Sequence, residues 1–149
     1  MRALGFNIKK GELHYCLLQG TRAAPQYVAH GKQNFEASQK KPHLANHFKQ
    51  AFNELILHHN PSSLAYRLSL EAKKADQYSY LCFSYGILNL IAFEREIPIF
   101  EYTTQSFSKK ALHTASDKWA ACDEKIADAP NNWKNETKLS ALSAWMNLE

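Results

Sequence analysis

Residues 64–102, LAYRLSLEAKKADQYSYLCFSYGILNLIAFEREIPIFEY, most constrain what this chain can fold into. Leu64, Tyr66, Leu68 and Leu70 alternate with Ala65, Arg67 and Ser69, the two-residue period of a strand with one well-buried face. Asp76 opens a run free of Gly and Pro up to Gly86, and Leu81, Cys82, Tyr85, Leu88 and Ala92 recur on one helical face. Tyr80, Phe83, Ile87, Leu90 and Ile91 form a second apolar face on the same helix, so it needs cover on two sides. Arg95-Glu96 ends it, and Ile97–Tyr102 reads as a buried strand with Pro98 near its start, where a missing N–H is tolerated. Strand, crossover helix, strand specifies two parallel strands joined by a right-handed connection.

The flanking chain supplies the rest of a sheet. Ala3–Ile8 reads as a first strand, Lys9-Lys10-Gly11 as a turn, Leu13–Leu18 as a second strand and Gln26–His30 as a third. Gln19–Ala24 is a loop and the polar stretch Gly31–Lys41 a connection. His43–His59 is a helix with Leu44, Phe48, Ala51, Phe52, Leu55 and Ile56 on one face and Pro42 near its first turn, stopped by Asn60-Pro61. After Tyr102, the pattern gives a short helix over Thr104–Leu112 and another through Asp128 capped by Ser116-Asp117. A break follows at Ala129–Asn132, then a final helix over Trp133–Leu148 carrying Leu139, Leu142, Trp145 and Met146. The order is βββαβαβ followed by helices: one α/β domain over 1–149 with a mixed five-stranded sheet, the ordering expected of a ribonuclease H-like domain.

Composition excludes several classes. A formal charge of +4 leans toward a polyanionic partner without requiring one. Cys16, Cys82 and Cys122 are odd in number and far apart, which argues against a disulfide framework or zinc ribbon and for reduced thiols in a cytoplasmic protein. Cys16 and Cys82 are expected to pack as small hydrophobes and Cys122 to sit on a helix face rather than act as a nucleophile. No apolar run approaches a membrane span, and no signal-peptide core precedes the first strand.

With these elements in place, the residues resemble the RuvC-type Holliday-junction resolvases. The likeness lies in Asn60-Pro61 before the fourth strand, Glu71-Ala72-Lys73-Lys74-Ala75-Asp76 opening the crossover helix, Tyr85-Gly86 within it, and Ile97-Pro98-Ile99-Phe100-Glu101-Tyr102. Ser116-Asp117-Lys118 is similar to the family's later Ala-Glu-Lys step. The resemblance implies a ribonuclease H-like fold, a homodimer and a branched-DNA substrate, cut with two divalent metals that four carboxylates hold.

Those carboxylates are the part that departs. The family's Gly-Ile-Asp turn reads Gly5-Phe6-Asn7, and its Ala-Ile-Glu reads Ala65-Tyr66-Arg67. Its final Asp-x-x-Asp aligns with Thr137–Ser140, or with Glu136–Leu139 one residue earlier, so at most one acid of four remains. The degenerate positions are therefore Asn7, Arg67, Glu136 and Ser140. Asn is a weaker ligand than Asp for a hard cation. A guanidinium repels one, and can instead take the metal's place and hold a phosphate. The family's glycine-rich loop is replaced by Leu112-His113-Thr114-Ala115, but Lys9, Lys10, Lys109, Lys110, His113 and Lys118 supply cations for backbone phosphates, with Arg67 as a further candidate.

The remaining candidates have plainer readings. His43 and His47 have metal-pair spacing but lack the Glu of a zincin, and read as surface histidines. His58-His59 read as helix-end caps, and Glu71 and Asp76 as acids favoured at a helix N-terminus. Glu101, on a strand expected to be buried, calls for a cationic or hydroxyl partner. Trp119, Trp133 and Trp145 read as core or interface anchors rather than base-stacking platforms. Tyr80, Phe83, Ile87, Leu90 and Ile91 are the expected isologous dimer face. The expectation is a non-cleaving, dimeric DNA-binding protein without a cofactor. The alternatives are a protein-interaction scaffold on the same fold and a Mg²⁺-dependent endonuclease with acids relocated to Glu71, Asp76, Asp117 and Glu136.

Overall fold

Gly11, at φ +81°, turns the first hairpin, and Lys9↔Glu12 is its last paired rung. A computed structural model describes residues 1–9, 11–69 and 74–149. Its strands are β1 (Arg2–Lys9), β2 (Glu12–Gly20), β3 (Pro25–Asn34), β4 (Ser63–Arg67) and β5 (Ile99–Tyr102). They form one sheet in the order β3-β2-β1-β4-β5, antiparallel through the meander and parallel for β1/β4 and β4/β5. Its α-helices, among the described residues, are α1 (Lys41–His59), α2 (Ala75–Glu94), α3 (Lys118–Lys125) and α4 (Asn135–Met146). This is the mixed α/β architecture that the element order implies.

Two cores sandwich the sheet. Leu4, Phe6, Ile8, Leu64 and Tyr66 pack under α1 and α2, and Ala3, Cys16 and Leu18 pack with α3 and α4. The expectation of one buried face on β4 is therefore corrected: all five of its residues are buried, as in a parallel sheet covered on both sides. The α4 side is thin because the helix presents Ser140, Ala141, Ser143 and Ala144, all fully buried, to the strands. Its backbone lies directly on Gly5, where a Cβ would overlap the Ser140 carbonyl and stand 2.7 Å from the Ala144 nitrogen.

Several boundaries differ from expectation. β3 runs to Asn34 instead of ending at His30, and pairs with β2 along its whole length. Gly31 is part of that strand because the Tyr15 ring fills the place of its missing side chain. β5 is an edge strand rather than a buried one, with Phe100 48% exposed. The helix expected over Thr104–Leu112 is reduced to one 3₁₀ turn at Thr104–Ser106, and α3 ends at Lys125. Cys82 is exposed, against the expectation that it packs inside; Cys16 and Cys122 are buried. Asn60 ends α1 in the left-handed region at φ 46°, its N–H bonding the Ile56 carbonyl. Among the described residues no helix is long and apolar enough to cross a membrane.

Candidate nucleic-acid interface

Parallel pairing of β1 and β4 puts Asn7 and Arg67 in the last register of their ladder, at the C-terminal ends of both strands. Ligand crevices of open α/β sheets form at such ends. The side chains meet: Arg67 Nη1 donates to Asn7 Oδ1 at 3.1 Å, and Arg67 Nε donates to Thr104 Oγ1 at 2.9 Å. Asn7 Nδ2 in turn reaches the Glu136 carbonyl in the first turn of α4 at 3.4 Å. Asn7 is 2% exposed and Arg67 8%, so the pair is an internal tie between two strands, the β5 exit and α4. Placing Mg²⁺ about 4 Å from a guanidinium costs on the order of 4 kcal/mol per unit charge at an effective dielectric near 20, roughly twice that for a dication. The residues present do not fit a two-metal centre. Among the described residues no group of three or more His, Cys, Asp or Glu is placed to hold a metal ion.

Tyr85 of α2 extends the same ladder. Its hydroxyl accepts from the Ile8 N–H and donates to the Arg67 carbonyl, both at 2.8 Å, bridging the strands one rung beyond Asn7–Arg67. Burial pushes that phenol far above the ordinary tyrosine value. Tyr66 stacks on it at 4.1 Å and donates to Glu101 Oε1 at 2.7 Å, supplying the hydroxyl partner expected for Glu101 although that residue is exposed. Desolvation, then the Glu101 carboxylate, push the Tyr66 phenol up to about 12. In the sequence Tyr85 is visible as a residue of an apolar face and as part of the Tyr85-Gly86 step of the resemblance, neither of which gives it this contact. That it is Tyr rather than Phe is the single clue to this role.

Beside the pair lies an ionic cluster. Lys9 Nζ stands 3.3 Å from both Glu12 and Glu136, and Lys32 Nζ 3.3 Å from Glu12. His14, the cross-strand partner of Asn7, places Nε2 3.3 Å from Glu12 Oε2. That hydrogen bond, with those from Lys9 and Lys32, brings the Glu12 carboxyl down to about 2. Burial lowers His14, with Glu12 opposing, and burial followed by the His58 and Arg2 charges lowers His59. His59 thus packs on Tyr15, ring centroids 5.6 Å apart, and is not the charged helix cap expected of it. Both imidazoles take up protons less readily folded than unfolded. Their stabilising contribution is complete above the ordinary value of 6.5 and is lost as pH falls below it. The thermal midpoint is expected to drop between pH 7 and pH 5, and His14→Gln with His59→Gln to flatten that slope; a wild-type midpoint constant over the interval would contradict this.

Lys9 and Glu136 of this cluster border a cavity of about 700 Å³ between the first turns of α1, α2 and α4. Asn7, Lys9, Arg67, Asp76 and Glu136 line it together, joined by Lys41, which the sequence did not single out, and by an apolar wall whose residues the sequence assigned to other faces. Ser140 is buried nearby, its hydroxyl donating to the Glu136 carbonyl at 3.3 Å. Lys109, Lys110 and His113 are exposed on the turns after β5 and do not line the cavity. Lys118 lies 5.0 Å over the Trp119 ring, and Asp117 caps α3 by accepting from the Trp119 and Ala120 N–H groups. Lys10 and Glu71 lie outside the described residues. His47 Nδ1 bonds the Gln39 amide at 3.0 Å.

The expected dimer face needs correction. Ile91 is buried in the α1/α2 core, and Tyr80, Phe83 and Ile87 are half-covered there, because α1 packs across that side of α2. Of the expected set Leu90 faces outward, 57% exposed, in a stripe with Tyr78, Cys82, Gly86 and the 81% exposed Phe93.

No protein-family model matches this sequence, and no curated protein matches it. Solved structures do. Thermus thermophilus RuvC in complex with Holliday-junction substrate superimposes with a TM-score of 0.80 at 12% identity, covering 98% of this chain and 91% of that one. The yeast mitochondrial Holliday-junction resolvase Ydc2 gives 0.66 at 16% identity, over 97% and 78%. Fowlpox virus resolvase with Holliday-junction DNA gives 0.54 at 11%, over 99% and 93%. The chain therefore shares the fold of these structures, over nearly its whole length in the case of RuvC.

Proposed function

We propose that this chain is a non-cleaving, dimeric RuvC-like protein that binds nucleic acid through the phosphate backbone. The observation that carries the reading is the buried Asn7–Arg67 pair at the C-terminal ends of β1 and β4. It places a fixed cation where the resemblance implies carboxylates and metal. Two of the three neighbours named above were solved with Holliday-junction DNA, which supports a nucleic-acid partner for this fold. Arg67 is already bonded to Asn7 and Thr104, so backbone contact falls to the exposed Lys109, Lys110 and His113 and the neighbouring Lys118. The Tyr78–Phe93 stripe supplies the apolar contact for a second copy, its open Gly86 allowing close approach of two helices.

The test is binding of labelled four-way-junction, duplex and single-stranded DNA across a salt series. Affinity is expected to fall steeply with salt, and Lys109→Ala with Lys110→Ala to reduce the log–log slope by about 2. Leu90→Glu with Phe93→Glu is expected to yield monomers in sedimentation. The second reading, a protein-interaction scaffold, is favoured by the 81% exposure of Phe93. It gains if no DNA binds at low salt while the stripe variant remains monodisperse and loses a protein partner.

A further inference from the structure

The cavity at the ends of β1 and β4 has features that backbone binding does not use. Its volume of about 700 Å³ is roughly 9 Å across as a cube, the scale of a small-ligand pocket and too small for a duplex. One wall is Leu44, Tyr80 and Phe83. That wall is fixed from behind, with Tyr80 edge-on to Phe48 at 5.9 Å and Phe48 packed on Phe35 at 4.6 Å. Gln39 and Gln77 also line it, each carrying donor and acceptor in one amide, with Gln39 Nε2 bonded to His47 Nδ1 at 3.0 Å and its Oε1 left to accept. Of its cations, Lys9 is committed to Glu12 and Glu136, and Arg67 to Asn7 and Thr104. Lys41 forms no ion pair among the described residues; its Nζ stands 5.9 Å from the Phe83 ring.

An aromatic wall, an amide pair and an available ammonium match the three parts of a nucleotide: a π-face, a hydrogen-bonding edge and a phosphate. We propose that this cavity takes one unpaired nucleotide, its base against Tyr80 and Phe83, its edge read by Gln39 and Gln77, and its phosphate at Lys41. The proposal rests on the nucleic-acid reading above and adds to it a preference for strands with an extruded base. The same chemistry has two sources, a nucleotide within a strand and a free one.

The experiment compares a labelled duplex carrying one bulged nucleotide with its fully paired counterpart, using adenosine 5′-monophosphate as competitor. The bulged duplex is expected to bind at least about tenfold more tightly. Ser79→Trp, which fills the cavity from an exposed helix position, and Lys41→Glu are each expected to abolish that preference while the thermal midpoint stays unchanged. Displacement by the monophosphate assigns the free nucleotide as a ligand as well; a bulge preference without displacement assigns the strand-borne one alone. Equal binding of both duplexes, or a preference that survives Ser79→Trp, overturns the cavity assignment and leaves backbone binding intact. No binding of any probe overturns both.

Discussion

Gly5→Ala is expected to destabilise the fold by about 3 kcal/mol, the upper part of the range for overpacking a tight core. The added Cβ would meet backbone, not a side chain that can turn away: the Ser140 carbonyl and, at 2.7 Å, the Ala144 nitrogen. Relief requires α4 to lift from β1. That helix carries fully buried Leu142 and Trp145 and holds the C-terminal end of the chain through Arg22, whose Nη2 reaches the Met146 carbonyl at 2.6 Å. In a chain of 149 residues such a loss corresponds to a thermal midpoint lower by roughly 6–12 °C. A midpoint within about 2 °C of wild type would show that α4 does not lie on Gly5 as described.

Tyr85→Phe is expected to cost about 2–4 kcal/mol although it removes a single oxygen atom. Two buried backbone groups, the Ile8 N–H and the Arg67 carbonyl, lose their partner together, and each orphaned group costs about 1–3 kcal/mol. The stacking on Tyr66 at 4.1 Å survives the change, so the loss belongs to the hydrogen bonds. Faster exchange of the Ile8 amide, measured beside urea unfolding, localises the effect at the end of the β1/β4 ladder. An unchanged unfolding midpoint would mean that the hydroxyl is not bridging the two strands.

These two residues mark where sequence reasoning stops. Alternation in β4 and the crossover helix that follows make the parallel pairing of β4 with β5 legible, and the resemblance sets Asn7 and Arg67 at corresponding positions of β1 and β4. Parallel pairing of β1 with β4 then brings Asn7 opposite Arg67 by register alone. Gly5 and Tyr85 owe their roles to contacts with partners far along the chain, which the motifs containing them, Gly5-Phe6-Asn7 and Tyr85-Gly86, do not reveal. The extension of β3 to Asn34 is equally hidden, because Gly31-Lys32-Gln33-Asn34 has no apolar period and is held by backbone pairing with β2 and by the Tyr15 ring. The missing helix after Thr104 has a local cause. Ser106 Oγ accepts from the Thr103 N–H and Ser108 Oγ from the Ala111 N–H, both at 3.1 Å, and these short bonds compete with helical ones.

Helix α2 shows the same limit for the site. With apolar residues nearly all round, its sequence says that two sides are covered but not which side α1 takes. The structure gives Tyr80 and Phe83 to the cavity wall and Ile91 to the core, leaving Tyr78, Leu90 and Phe93 outward. The cavity could not be seen from the family-aligned positions, because Lys41 and Leu44 come from a helix outside the aligned motifs.

The proposal that Asn7 and Arg67 stand where the resemblance implies a metal centre is tested most directly by following cleavage and binding in one tube. A labelled four-way junction is incubated with the protein and Mn²⁺ at a salt concentration where the mobility shift is complete, then resolved on a denaturing gel. A shifted junction with every strand intact is the expected result. Metal-dependent strand scission that Asp76→Asn or Glu136→Gln removes would contradict it.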